Sequence, residues 1–119
     1  MTTQVSSELV DQSTLRSLRD LSDDDPGFLR SLIDDYLVDS AMIIEELRAH
    51  VKSGSAEWIA RTAHSLKGSS LNVGAGKMAE LARALETKGR TKDLSHVDLI
   101  LEQIEKVYSL TVQEFNKVK

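Results

Sequence analysis

Cysteine is absent from the sequence, which rules out a disulfide framework and any thiolate metal site. Proline occurs once, tryptophan once, and phenylalanine and tyrosine twice each. A sandwich of short strands is poorly served by so few aromatic residues and turn formers. The same scarcity argues against aromatic base-stacking platforms. The longest unbroken aliphatic run is Ala41-Met42-Ile43-Ile44, far short of the roughly 20 residues needed to span a bilayer. Met1 to Val10 carries no basic patch followed by an apolar block, so no secretory leader is read there and the cytoplasm is the expected location. A surplus of basic residues is missing too. Fifteen Lys and Arg stand against 19 Asp and Glu, for a net charge of −4, which argues against a nucleic-acid footprint.

What is present is helical periodicity along nearly the whole length of 119 residues, enough for one domain with a real core. A short first helix fits Gln12 to Asp20, with Asp11 as N-cap and Leu15 and Leu18 facing inward. In "SDDDPGF", Asp25 before Pro26 reads as an N-cap with proline at the first helical position, where a missing N–H is harmless. The second helix should run to about Lys52, with an apolar set of Leu29, Leu32, Ile33, Tyr36, Leu37, Ile43, Ile44, Leu47 and Val51. "SGS" at 53–55 breaks it. The third helix should span Ala56 to Val73 and end into a left-handed Gly74. The fourth should span Ala75 to Lys88 and stop at Gly89. Ser95 with Asp98 resembles a capping box for the last helix, which carries Val97, Ile100, Leu101, Ile104, Val107, Tyr108, Val112 and Phe115. Short loops make neighbours antiparallel. The expected fold is all-α, an antiparallel up-down four-helix bundle preceded by a short N-terminal helix.

The chemistry concentrates in "TAHSLKGSSLNVGAG", Thr62 to Gly76. At about 100° per residue from Ile59, the residues Ala63, Leu66, Ser70 and Val73 fall within roughly 40° of one line, the buried stripe. His64 falls near 140°, Lys67 near 80°, Leu71 near 120° and Gly68 near 180° (all approximate). His64 is therefore predicted to face outward. A lone histidine on an exposed face is ordinarily just solvated, but its neighbours are unusual. Gly68, one turn on, sits in mid-helix, where glycine costs about 0.5–1 kcal/mol against alanine. It clears space beside the imidazole. Lys67 places an ammonium on the same side, suited to an anion held at His64. Leu71 adds an exposed apolar contact.

Other motifs are weaker. "GAGKMA" follows a helix rather than a strand, which removes the dinucleotide-binding reading, and Gly76-Lys77 lacks the rest of a P-loop. His50 and His96 have no metal-ligand partner at helical spacing, and His50 suits the C-terminal end of a helix dipole. Trp58 and Met78 read as packing residues.

The segment Ala63 to Glu86, "AHSLKGSSLNVGAGKMAELARALE", resembles the core of histidine-containing phosphotransfer (HPt) domains. The resemblance is carried by His64, Leu66, Lys67, Gly68, Ser69, Gly74, Ala75, Leu81, Leu85 and Glu86. It extends through "DDDPGFLRSLIDDYL" and "VDQSTLRSLRDL" to cover about residues 10 to 115, so that 1–119 reads as one such domain. The resemblance implies that His64 accepts and donates a phosphoryl group, that Lys67 neutralises it and that Gly68 opens access. A polar residue of the fourth helix, Glu86 by spacing, would orient the imidazole. A free imidazole, with a pKa of about 6.5, is mostly neutral at pH 7 and is a competent nucleophile.

Transfer would run from a receiver-domain aspartyl phosphate to His64 and on to another receiver. The implied partners are receiver domains of response regulators or hybrid kinases, with no nucleic acid and no membrane. The chain itself would be a monomeric carrier rather than an enzyme, with no cofactor of its own and magnesium held by the receiver. The docking face should comprise Ala60, Arg61, Lys67, Gly68, Leu71 and Asn72, with Lys77 and Met78 at the rim. Two alternatives stay open: a phosphoacceptor domain of a larger hybrid or chemotaxis-type kinase, and an adaptor bundle that uses the same face without phosphorylation.

Overall fold

Local capping chemistry sets the helix boundaries in the computed structural model, which describes residues 8–22 and 25–118. The first seven residues and two aspartates of the acidic turn, Asp23 and Asp24, lie outside the described residues. Asp11 accepts from the Ser13 backbone at 3.1 Å and starts α1, Gln12–Leu21. Asp25 accepts from Gly27 N at 3.0 Å and starts α2, Pro26–Ser53, with the proline in its first turn. Gly54, at φ 70, closes α2. Next come α3, Ala56–Asn72, α4, Gly76–Thr91, and α5, Val97–Val118. With 28 residues, α2 is about 42 Å long and accounts for the 45 Å long axis of the molecule.

Helices α2, α3, α4 and α5 close a ring of neighbours. α3 packs on α2 and α4, α5 packs on α4 and α2, and α1 lies against α2. This is the expected bundle with its short preceding helix. No helix among the described residues is long and apolar enough to cross a membrane.

The apolar periodicity translates directly into burial. Leu15, Ile33, Leu47, Ile59, Leu66, Leu85, Ile104 and Phe115 are each fully buried. Tyr36 meets Phe115 edge-on, with ring centroids 5.9 Å apart. The predicted stripe of α3, Ile59, Ala63, Leu66, Ser70 and Val73, is no more than 2% exposed at any position. The hydroxyls of Tyr36, Ser40 and Ser70 in this interior have partners, as desolvation requires. Tyr36 Oη and Ser70 Oγ lie 2.8 Å apart, and Ser40 Oγ donates to the Tyr36 carbonyl at 2.6 Å.

The turn from α3 into α4 depends on Gly74. Its φ of 80 is the left-handed value expected, and a Cβ there would also lie 3.0 Å from Thr14 Cβ and 3.1 Å from the Asp11 carbonyl. The start of α1 therefore sits on this turn. Asp11 N donates to Gly74 O at 2.7 Å, and Lys77 N, an orphan donor in the first turn of α4, donates to Glu8 O at 2.8 Å. Ala75 supplies no side-chain cap to α4, so the backbone before α1 does that work.

Two boundaries differ from expectation. The fourth helix does not stop at Gly89 but runs to Thr91, and the left-handed residue after it is Lys92. Gly89 is buried within the helix. A Cβ on it would lie 2.7 Å from both Ala56 O and Ala60 N, and 2.9 Å from Ala60 Cβ. Glycine is there for close approach of α3 and α4, not to end a helix. The capping box at Ser95 is also absent. Ser95 donates through both its N and its Oγ to Asp93, at 3.1 and 2.5 Å. α5 opens after His96, a residue at φ 65 whose carbonyl receives Leu99 N and Ile100 N. Gly89→Ala should therefore destabilise the bundle by about 1–3 kcal/mol, because the clash is with backbone and overpacking outweighs the helix-propensity gain of alanine. Urea unfolding of the two proteins measures this directly.

Candidate functional site

The α3–α4 contact at Ala60 and Gly89 lies one turn below a polar cluster. From Ala60, four residues along α3 lead to His64. From Gly89, three residues back along the antiparallel α4 lead to Glu86. The two side chains meet there, with His64 Nδ1 2.9 Å from Glu86 Oε2. Lys67 Nζ reaches Glu86 Oε1 at 2.8 Å. Arg90, one turn after Glu86 on α4, donates to Oε2 at 2.5 Å. Three nitrogen-bearing side chains thus converge on one carboxylate.

Burial separates the roles. The Glu86 side chain is 6% exposed and that of His64 59%. Burial alone would push the Glu86 carboxyl up. Hydrogen bonds from Lys67 and His64, with the charges of Lys67 and Arg90, outweigh it and hold the group down at about 2. Glu86 is therefore ionised at neutral pH and can only accept hydrogen bonds. A neutral His64 consequently carries its proton on Nδ1, which leaves a lone pair on Nε2 of an exposed ring. Two cations against one carboxylate leave one positive charge unmatched in the cluster around Glu86.

Gly68 matches its expectation: nothing lies within 4 Å of where its Cβ would be. These two mid-helix glycines thus serve opposite purposes, with Gly68 opening the surface and Gly89 closing a contact. Leu71 is 53% exposed, and Arg61 and Asn72 on the same helix are exposed too. Lys77 is partly buried and pairs with Glu80 at 3.3 Å.

Other expectations need correction. Met78 is fully buried, which fits its reading as a packing residue and removes it from the docking rim. Because α4 begins at Gly76, Met78 falls on the inward line with Ala82 and Leu85. Ala60 is buried against Gly89 and offers only its edge. Trp58 is 52% exposed rather than packed inside. It stacks on His50 at 5.7 Å and lies under the Arg61 guanidinium at 5.3 Å. Arg90 was missed altogether, although its position four residues after Glu86 is the spacing at which helical charges pair. Among the described residues no group of His, Asp and Glu is arranged to hold a metal ion.

A family model described as "Hpt domain" matches residues 31–110. The chain belongs to the Hpt domain family. It is accordingly a histidine phosphotransfer protein of two-component phosphorelay signalling. The same architecture occurs in histidine-containing phosphotransfer protein B (HptB) from Pseudomonas aeruginosa PAO1. That structure shares 29% identity with a TM-score of 0.85, over 93% of this chain and 94% of that one. The yeast phosphorelay protein Ypd1 shares the fold at 21% identity and a TM-score of 0.69, over 76% of this chain and 55% of its own. No curated protein sequence matches the chain.

The depressed pKa of Glu86 has a consequence for acid stability. Its folded value of about 2 lies below the ordinary 4.5, so the ionised group stabilises the fold fully above about pH 4.5. That contribution is lost as pH falls from there through about 2. Glu86→Gln should remove it. The stability gap between wild type and variant, at most ~3 kcal/mol, should narrow steadily in urea titrations from about pH 6 down to pH 3.

Proposed function

We propose that His64 is the phosphoacceptor and phosphodonor of this Hpt domain, working through Nε2. The observation that carries this reading is the buried, ionised Glu86 on Nδ1, which leaves Nε2 unprotonated on an exposed ring. In the forward step the Nε2 lone pair attacks the phosphorus of a receiver aspartyl phosphate. The N–P bond forms as the P–O bond to the aspartyl oxygen breaks, and the aspartate leaves as a carboxylate. The ring gains positive charge as it attacks, and Glu86, one hydrogen bond away, offsets it. The same hydrogen bond keeps the phosphorylated ring cationic in character and thus a good leaving group for the reverse or onward transfer.

Phosphoryl transfer of this kind depends on position and charge. The phosphoryl group brings close to two negative charges. Lys67 and Arg90, already anchored on Glu86, bring the opposite charge to within a side chain's reach. Glu86 alone would repel the group, but its two cations remove that objection. The docking face in this reading is the outer side of α3: Arg61, Gly68, Leu71 and Asn72 around His64, a mixture of apolar and polar contacts suited to a transient encounter. Receiver domains are the partners, and the receiver supplies the divalent metal. The chain acts as a cytoplasmic, monomeric carrier with no metal or cofactor of its own.

The test is to mix the chain with receiver domains charged by acetyl phosphate and follow acid-labile, base-stable phosphate on it. Transfer should be lost in His64→Gln. In Lys67→Ala it should slow by about ten- to a hundredfold, the equivalent of one charge-assisted hydrogen bond of roughly 1.5–3 kcal/mol. Undiminished labelling of His64→Gln would overturn the assignment.

A further inference from the structure

The end of α4 holds a residue that the fold does not call for. Lys92 sits in the left-handed region at φ 59, the position that α2 and α3 give to glycine, Gly54 at φ 70 and Gly74 at φ 80. A side chain is disfavoured there because its Cβ crowds the backbone carbonyl. Among the described residues the Lys92 ammonium makes no hydrogen bond or ion pair that would offset this. Strain of this kind points to a use outside the fold's own packing.

Lys92 lines a groove that opens beside His64 between α3 and α4, together with Arg61 and Arg90 and with Gly89 at its base. The one carboxylate on its wall, Glu57, is already tied to Arg61 at 2.9 Å. In a chain of net charge −4, this groove is a local concentration of positive charge that runs directly up to the phosphoacceptor. Trp58 does not line the groove itself but lies half exposed under Arg61, which does. Tryptophan and arginine are the side chains most often responsible for binding energy at protein interfaces.

We propose that this groove, from His64 to Lys92, receives a carboxylate-bearing edge of the receiver surface, and that Lys92 extends the positive face that steers that partner in. The proposal rests on the phosphotransfer reading of His64 and adds the end of α4 to the docking surface. Charge complementarity selects an acidic protein surface as the occupant, since the groove concentrates cations and has its only carboxylate paired.

Lys92→Gly and Lys92→Glu test it in the full chain with an acetyl-phosphate-charged receiver to which the wild type transfers. Glycine suits φ 59, so Lys92→Gly should melt no lower than wild type. Its kcat/KM for transfer should nevertheless fall about threefold, and that of Lys92→Glu about tenfold, at low ionic strength. The loss should appear in KM and shrink as salt screens the groove. Trp58, the only tryptophan of the chain, reports docking separately, because its fluorescence should respond to an unphosphorylated, tryptophan-free receiver with weaker affinity in both variants. Unchanged kcat/KM and salt dependence in Lys92→Glu, while wild type transfers normally, would overturn the proposal and leave the functional reading intact. So would a lowered melting temperature in Lys92→Gly, which would make the lysine structural, or a wild-type dimer dissolved by Lys92→Glu, which would put a second copy in the groove. A wild type that accepts no phosphate from any receiver overturns the functional reading and this proposal with it.

Discussion

The distance between α3 and α4 at Gly89 and Ala60 governs everything that the His64 site does. With no Cβ on Gly89, the backbone of one helix rests against the backbone of the other at Ala56 and Ala60. One turn further along, the same closeness brings a carboxylate from α4 to hydrogen-bonding distance of an imidazole on α3. The two side chains have short reach, so a wider separation would leave Glu86 buried without its donors. An unpaired buried carboxylate is expensive and relieves itself by protonation. Packing and electrostatics in this bundle are therefore one constraint expressed at two heights along a helix pair.

The charge distribution follows from that arrangement. Glu86 is buried and its three partners reach in from the surface, so the negative charge is fixed while the positive ends of Lys67 and Arg90 can turn. Such a site is suited to a group that arrives and departs. The carboxylate orients the imidazole throughout, and the two cations accommodate the presence or absence of a phosphoryl group. The mid-helix glycine fits the same logic. Gly68 forgoes helix propensity at a place where the structure has open space around it, one helical turn from His64.

Much of this was legible before any coordinates, and the reasons are specific. The burial stripe of α3 could be drawn because Ile59, Ala63, Leu66, Ser70 and Val73 repeat at the helical period, and the same angles turned His64 and Gly68 outward. Asp11, Asp25 and Gly74 announced their turns through local chemistry that acts within three or four residues. Glu86 could be matched to His64 by family spacing alone. What stayed hidden depended on contacts between distant segments. Gly89 looks like a helix terminator in sequence, and only Ala60 across the interface explains why it is not. Met78 fitted both a packing and a rim position, because the exact start of α4 determines which way it points. That start is set by the backbone at Glu8, some seventy residues away along the chain. Arg90 was within reach, since its spacing from Glu86 is a local signal, but its importance depends on Glu86 being buried, which spacing does not reveal.

The central claim is that Glu86 holds the neutral His64 ring with its proton on Nδ1 and its lone pair on Nε2. A long-range proton–nitrogen correlation spectrum of the imidazole side chains, recorded at about pH 8, above the ordinary imidazole range, measures this without any partner. The account predicts a protonated Nδ1 and a bare Nε2 for His64, the reverse of the tautomer that free imidazole side chains favour in water. A His64 signal showing the proton on Nε2 in the wild-type chain would contradict it.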